Sequence, residues 1–272
     1  MATIKIHQIY YNQDTFLKLD KGFIPLDNSM STESDWFEFA PILNYLNQSK
    51  LEDEVWYGFL SPNFRNKTGV QSKFVIDILN DQDKYADVAL LHTGWDQICY
   101  FKNPWEQGEI WHPGLKSFSQ LFFDHVNLKV DVDEIVTDMT SSIFSNYIIA
   151  KKRFWLNWLK IANQFFNYMI NINSNDQKTP YGNYKNLFPI KTFVQERFAS
   201  LVLTSDNFNV LAIDQSFGGT IYTRLFKDSF ETRELLKKCD LLKNKYRQTK
   251  DKQFLNAYLE TRAAIKFTPP NL

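Results

Sequence analysis

The feature that most constrains this fold is an alternation of short apolar runs with longer stretches whose apolar residues recur at helical spacing. Short apolar or alternating runs predict three strands, at residues 3–11, 55–60 and 86–92. Between them, the stretches beginning at Ser34 and Val70 carry apolar residues on one helical face, and Pro41 kinks or delays the first helix. A strand, helix, strand, helix, strand order predicts an α/β sheet covered by helices.

The second half of the chain continues the alternation and then changes character. The pattern predicts a strand at 144–150, a helix at 151–170 with a wide aromatic stripe, a loop at 171–187, a helix at 190–203 and a short edge strand at 210–213. From Phe230 onward the composition is charged and favours helices, which predicts two C-terminal helices. We therefore divide the chain into a domain at 1–229 and a helical extension at 230–272.

Composition narrows the class of partner. The 272 residues, 44% of them hydrophobic, suffice for one large domain with an appendage. Lys plus Arg total 31 and Asp plus Glu total 31, so no net positive charge is available to release counterions from nucleic acid, and we expect no nucleic-acid partner. With only Cys99 and Cys239, no signal-peptide pattern and no membrane-spanning run, we expect a protein of the cytoplasm without transmembrane segments.

Two loops follow predicted strands, and ligands of open α/β sheets bind beyond the carboxyl ends of their strands. Residues 61–69 carry Arg65 and Lys67, which could hold a diphosphate or simply form a solvated basic loop. Residues 92–114 hold the densest acidic and aromatic cluster of the chain: Trp95, Asp96, Glu109, Trp111 and His112. A carboxylate there could act as a base beside rings that stack on a sugar, or the acids could cap helices. We expect the two loops to meet in one cleft.

Three further positions carry chemistry outside these loops. Glu196 and Arg197 adjoin in an apolar segment, where they form either a pair facing the site or a structural salt bridge. Asn146 places an amide at the start of a strand, and His7 on the first strand is either a core histidine or a donor-binding group. No Walker or dinucleotide glycine loop, serine elbow or His-Glu-x-x-His motif is present, which excludes the commoner nucleotide hydrolases, hydride-transfer enzymes, esterases and zinc proteases.

Five segments, in the same order, resemble capsular and surface-polysaccharide glycosyltransferase-like proteins. They are Ile6-His7-Gln8-Ile9-Tyr10, Trp56 to Pro62 with the basic residues up to Gly69, Asp87 to Leu91, Ser145 to Lys151 with the aromatic helix start up to Leu159, and Phe193 to Phe198. Together they span about residues 4–213. The resemblance implies a GT-A-like fold, a nucleotide-binding mixed sheet flanked by helices, and it leaves the C-terminal helical extension uncovered.

The resemblance also implies an activity: a hexosyltransferase moving a sugar from a nucleotide-diphosphate donor to a bacterial surface polysaccharide or glycan acceptor, peripheral to the inner face of the membrane. Polysaccharide-assembly proteins would then be further partners. The predicted roles are catalytic for Asp96, Glu109 and Glu196, donor-binding for His7, Arg65, Lys67 and Arg197, and acceptor-binding for Trp95, Trp111, His112 and Asn146. The alternative is a non-catalytic carbohydrate-binding or assembly subunit on the same fold.

A metal cofactor is the last expectation from the resemblance. GT-A enzymes often hold Mn²⁺ or Mg²⁺ with an Asp-x-Asp triplet, because hard oxygen ligands suit those ions. Of the two triplets in this chain, 81–83 and 131–133, the second supplies the predicted ligands Asp131 and Asp133. Neither triplet clearly follows a strong apolar strand, so metal-dependent and metal-free transfer both stay open.

Overall fold

The computed structural model describes residues 1–172, 178–181, 184–213, 219 and 221–270. Over these residues the strands are β1 (Thr3–Tyr10), β2 (Ile24–Asp27), β3 (Val55–Leu60), β4 (Val88–Leu91), β5 (Ile148–Ala150), β6 (Lys178–Tyr181), β7 (Tyr184–Pro189) and β8 (Val210–Ile213). The helices are α1 (Gln13–Phe16), α2 (Phe39–Gln48), α3 (Phe64–Thr68), α4 (Ser72–Gln82), α5 (Trp95–Tyr100), α6 (Pro104–Glu109), α7 (Leu115–His125), α8 (Lys152–Asn171), α9 (Ile190–Gln195), α10 (Phe198–Ser205), α11 (Phe230–Thr249) and α12 (Lys252–Ala263).

Six strands form one mixed sheet in the order β2-β1-β3-β5-β4-β8. Only β5 runs against its neighbours in this sheet. Alternate side chains of β3 enter two hydrophobic clusters: Tyr57 and Phe59 pack in one, Trp56 and Leu60 in the other. Because side chains alternate across a strand, the sheet is buried on both faces. The predicted α/β class is confirmed at this level: a mixed sheet flanked by helices.

The strand order creates a crevice at one edge of the sheet. β1 and β3 are neighbours, but the chain runs from β1 to β2 on one side and from β3 to β4 on the other. Such a switch point is where open α/β sheets bind ligands. Because β5 is antiparallel, its start lies at the edge where β3 and β4 end. The Ser61 hydroxyl oxygen, just after β3, is 3.0 Å from the phenolic oxygen of Tyr147, just before β5.

Several sequence predictions are confirmed, including the aromatic helix α8, the edge strand β8 and the two C-terminal helices. Others are wrong. The predicted loops at 61–69 and 92–114 contain the short helices α3, α5 and α6. Within the predicted loop at 171–187, residues 178–181 form β6 and residues 184–187 belong to β7, and these two strands pair antiparallel. The predicted helix at 190–203 breaks at Glu196, and the edge strand β2 is additional. Helices of five or six residues lack the repeats by which periodicity is recognised.

The C-terminal helices pack onto the rest of the fold. The Lys243 ammonium of α11 donates to the carbonyl of Phe101, 2.7 Å away, and the Tyr258 hydroxyl of α12 donates to that of Tyr100 at 2.8 Å. The two cysteines, Cys99 and Cys239, are free and buried in the same cluster. The division at residue 230 stays a prediction. Across the described part of the chain, every helix is too short or too polar to cross a bilayer.

Asn103 fixes the position of α6, the helix that supports the candidate site. Its side-chain oxygen accepts from the backbone N–H groups of Trp105 (3.0 Å) and Glu106 (2.9 Å), which caps the helix. Its amide nitrogen donates to the carbonyls of Val132 (2.9 Å) and Ile135 (2.8 Å). One buried side chain thus joins a helix start to the segment after α7.

Replacing Asn103 by Ala should lower the free energy of unfolding by about 2–4 kcal/mol, because it removes the cap and leaves two carbonyls without donors. The matched control is Asn12→Ala, which removes the exposed cap of α1 and should cost only about 0.5–1 kcal/mol. Urea denaturation of both variants measures the difference. Equal losses would contradict the assigned contacts.

Candidate functional site

A pocket of about 260 Å³ lies at the edge where β3 ends and β5 begins. Charged groups contribute to its lining from three separate segments: Glu38, Lys67 and Glu196. Ser61, Asn146 and Tyr147 add hydroxyl and amide groups. Pockets that combine a few converging polar groups with apolar walls are the usual small-molecule sites.

Aromatic rings form the walls of this pocket. Phe37, Phe188 and Phe193 line it, and the ring of His112 stacks on Phe193 with centroids 3.5 Å apart. Three of the sequence-predicted site residues, Lys67, Asn146 and Glu196, line the same pocket. Their roles remain predictions, but the fold brings together residues that are far apart in the chain.

Glu196 stands at the junction of two helices. It follows the last residue of α9, and Arg197 precedes the first residue of α10. The Arg197 guanidinium donates to the Glu196 carboxylate at 2.8 Å and to the carbonyl of Phe193 at 2.8 Å. Arg197 is 2% exposed, whereas the Glu196 side chain keeps 27% exposure, so the arginine lies behind the carboxylate that borders the pocket.

This environment changes the proton affinity of Glu196. Burial raises its pKa from 4.5 to about 7, the positive charge of Arg197 opposes that rise, and the nearby carboxylate of Glu38 adds to it. Lys67 acts in the same direction as Arg197. A carboxyl group with a pKa near neutrality can accept and return a proton at ordinary pH, which is what general acid–base catalysis requires.

Helix α6 holds Arg197 from behind. The guanidinium donates to the side-chain oxygen of Gln107 at 3.3 Å, and the Gln107 amide donates to Gln97 at 2.8 Å. Gly108 lies against Arg197 and Leu115, and a methyl group at that position would overlap both side chains. Arg197 therefore serves as a support for Glu196, and it does not line the pocket as a donor-binding group would.

Lys67 presents a cation to the pocket from α3. Within the described part of the chain, its ammonium has neither a hydrogen bond nor an ion pair, so it is available to an anionic ligand. Arg65, two residues earlier, is exposed and interacts electrostatically with Asp20 outside the pocket. The predicted basic loop thus contributes Lys67 to the pocket and Arg65 to the neighbouring surface.

The cluster predicted around Asp96 occupies a different place. Asp96 is buried, its pKa is raised by burial, and its carboxylate accepts from the Tyr222 N–H at 2.6 Å. Trp95 is buried under the Arg233 guanidinium, which is 5.8 Å from the ring centroid. Trp111 packs edge-on to Tyr222 with centroids 5.9 Å apart. These residues join the strand edge to the C-terminal part of the chain and do not line the pocket with Lys67.

Glu109 caps a helix. Its two carboxylate oxygens accept from the backbone N–H groups of Gly114 and Lys116, each at 2.8 Å, at the start of α7. His112 lies behind the pocket wall because its ring faces Phe193. Of the two interpretations of the 92–114 cluster, these contacts correspond to capping carboxylates and a buried histidine, and the predicted catalytic role of Glu109 stays untested.

His7 lies in the core. Its ring is 4.5 Å from that of Tyr45 and 5.5 Å from that of Phe59. Burial, assisted by the charge of Lys5, lowers its pKa to about 4, so the ring is neutral. Neither ring nitrogen has a hydrogen-bond partner among the described residues. The position is that of a core histidine on β1 and not of a group lining the pocket.

The predicted metal ligands lie near the opposite edge of the sheet. Asp131 is exposed and accepts from the backbone N–H of Asp133 at 2.8 Å, and Asp133 pairs with Lys116. Asp131 borders a groove of about 600 Å³ together with residues 205–207, which precede β8. No group of three or more His, Cys, Asp or Glu side chains could hold a metal ion in the portion of the chain that is described.

Sequence reasoning missed the segment before α2. Phe37 has a φ of +47°, a left-handed conformation that is uncommon for a residue other than glycine, and Glu38 follows it into the pocket lining. No spacing or motif marks either residue. Tyr147, in contrast, follows the predicted Asn146 directly, and its position just before a buried apolar run is the available signal.

Replacing Glu196 by Gln should change how stability depends on pH. The folded pKa of about 7 exceeds the ordinary 4.5, so the folded state binds more protons in this window and the wild type loses stability as pH rises through it. The variant lacks this loss, which amounts to at most about 3 kcal/mol. Urea denaturation of wild type and variant at a series of pH values from about 4.5 to about 7 measures this loss of stability. Glu260→Gln, at an exposed position, is the control. A difference between wild type and E196Q that is independent of pH would contradict the raised pKa.

Comparisons with known proteins identify no relative of this chain. No protein-family profile matches it, and neither a curated protein nor a solved structure does. The residues of the pocket itself define its chemistry: a free ammonium, a carboxylate with a raised pKa and aromatic walls, all at the edge where the parallel strands end. This is the edge at which open α/β sheets bind ligands.

Proposed function

We propose that this chain is a glycosyltransferase that moves a sugar from a nucleotide-diphosphate donor to a glycan acceptor of the bacterial surface-polysaccharide type. One observation carries the proposal. Lys67 and Glu196, which bring a free cation and a proton acceptor, line the same pocket at the carboxyl edge of the sheet. The resemblance of five segments to surface-polysaccharide transferases supplies the substrate class.

A cation is the first requirement of such a transfer, because the departing diphosphate gains charge as its bond to the sugar breaks. Lys67 reaches this pocket without a protein partner among the described residues, and Arg65 extends positive charge along the adjacent surface. A Mn²⁺ or Mg²⁺ ion, if bound, would supply further positive charge against the departing diphosphate.

A base is the second requirement. In a single displacement the acceptor hydroxyl attacks the anomeric carbon, the bond from that carbon to the phosphate oxygen breaks, and the diphosphate leaves. The hydroxyl proton passes to a carboxylate, and Glu196 is the carboxylate of this pocket whose pKa of about 7 suits that role. Arg197 holds the Glu196 carboxylate in place through an ion pair of 2.8 Å.

The more specific fold assignment, a GT-A-like sheet, is supported only by features that many α/β folds share. The five mutually parallel strands, the switch point beside β1 and a pocket at their carboxyl edge are features that nucleotide-binding open α/β sheets share. The alternative, a non-catalytic assembly subunit, gains no separate support, because α11 and α12 pack against α5.

Replacing Lys67 by Met should weaken binding of a nucleoside diphosphate roughly tenfold or more, because a charge-assisted contact to phosphate is lost. Thermal shift with a panel of nucleoside diphosphates and nucleotide sugars, each with and without Mn²⁺, measures the binding. Lys160→Met, on an exposed face of α8, is the matched control and should bind as the wild type does. Equal stabilisation of wild type and K67M by every nucleotide would contradict the assigned phosphate contact.

Replacing Glu196 by Gln should lower turnover by roughly 10²–10⁴-fold while nucleotide binding is kept, because the base is removed and the phosphate contact is not. Nucleotide release from the donor that gave the largest thermal shift provides the rate. Glu260→Gln is the control for a carboxylate-to-amide change elsewhere on the surface. Unchanged turnover in E196Q would remove Glu196 as the base, and the absence of a thermal shift with every nucleotide would refute the proposed function.

A further inference from the structure

Two phenylalanine rings contact each other in the pocket wall. Phe37 and Phe188 have ring centroids 6.0 Å apart with planes inclined by 42°. They come from different parts of the fold, the turn before α2 and the end of strand β7. Neither residue belongs to the catalytic contacts described above. A pair of half-buried aromatic faces bordering a polar pocket offers flat apolar surface to a ligand.

Phe37 is held toward the pocket at an energetic cost. Its left-handed backbone, with φ +47°, costs about 1–2 kcal/mol for a residue with a Cβ. Its neighbours fix the turn: Trp36 stacks on Phe39 with centroids 5.0 Å apart, and Lys191 lies 4.2 Å from the Trp36 ring centroid. Strain of this kind that is retained by surrounding packing is concentrated at ligand sites.

An ion pair between Asp35 and Lys191 also holds the turn that carries Phe37. Lys191 is 4% exposed, and burial of a charge is sustained when it is paired. The turn that carries Phe37 is thus tied to α9, the helix that ends next to Glu196. The turn that carries Phe37 and the carboxylate of Glu196 are therefore both positioned by contacts with α9.

The polar lining next to these rings favours hydroxyl donors. Glu38 and Glu196 are acceptors when ionised, and hydroxyl groups give their strongest hydrogen bonds to carboxylates. Both carboxyl groups border the same small volume of about 260 Å³, and Lys67 is the one cation that lines it among the described residues. The proposed function gives the position beside Lys67 to the diphosphate, so a ligand carboxylate placed against the rings would meet repulsion from Glu38 and, once it is ionised, from Glu196.

We propose that Phe37 and Phe188 form a subsite for a neutral pyranose, with a C–H face of the sugar ring against the aromatic rings and its hydroxyls donating to Glu38 and Glu196. The subsite discriminates against uronic acids. This inference rests on the proposed function for its substrate class and names the part of the site that holds the sugar. Glu38 is then a specificity-determining residue.

The probes are the methyl glycosides of glucose, galactose and N-acetylglucosamine, with methyl glucuronide as the anionic counterpart. Ligand-observed NMR of the full chain should detect binding of at least one neutral glycoside. The protein should bind the glucuronide at least fivefold more weakly than that glycoside. Phe37→Asn should weaken the bound neutral glycoside roughly fivefold, since it removes the ring while asparagine tolerates the left-handed backbone. Phe37→Tyr keeps the ring and should retain binding.

Glu38→Gln tests the charge selectivity and should reduce the preference for the neutral glycoside. Phe230→Ala, at an 81% exposed ring on α11, is the control and should bind as the wild type does. Equal binding by wild type and a folded F37N, tighter binding of the glucuronide, or no detectable binding of any neutral glycoside would overturn the subsite. If no nucleotide shifts the melting temperature of the wild type, the proposed function is refuted, even where the sugar subsite binds glycosides.

Discussion

The ion pair between Glu196 and Arg197 is the contact on which the candidate site depends. A buried guanidinium needs several acceptors, and Arg197 finds them in Glu196, the carbonyl of Phe193 and the side chain of Gln107. The pair lies where α9 gives way to α10, so the helix break itself turns the carboxylate toward the pocket. Burial raises the pKa of Glu196 to about 7, and the arginine prevents a larger rise.

Sheet topology explains how distant segments meet at this carboxylate. β5 is inserted against the direction of β3 and β4, so its first residues lie at the edge where those strands end. Asn146 therefore enters the pocket beside Ser61 and Lys67, although about eighty residues separate them in the chain. With all strands parallel, the start of β5 would lie at the other edge, beside the groove that Asp131 borders.

The elements that could be predicted from the sequence are those with a clear local pattern of apolar residues. The aromatic stripe of α8 extends over enough residues to show the helical period, and the continuous apolar runs of β3 and β8 mark strands by composition and length. Lys67 was singled out because it follows a predicted strand, Asn146 because it begins one, and Glu196 because it is charged within an apolar segment. Glu38 and Phe37 could not be predicted from the sequence. Their placement depends on a strained turn and on the ion pair between Asp35 and Lys191, which no local pattern encodes. Asp96 shows the converse: its chemistry is suitable, but tertiary contacts bury it against Tyr222.

A crystal structure of the protein with the nucleotide sugar that stabilises it most is the most direct test of the claim that this edge of the sheet is the site of sugar transfer. We expect the phosphates within hydrogen-bond distance of the Lys67 ammonium and the sugar ring between Phe37 and the Glu196 carboxylate. Ligand density in the groove bordered by Asp131, or beside Asp96 with the Lys67 pocket empty, would contradict the account.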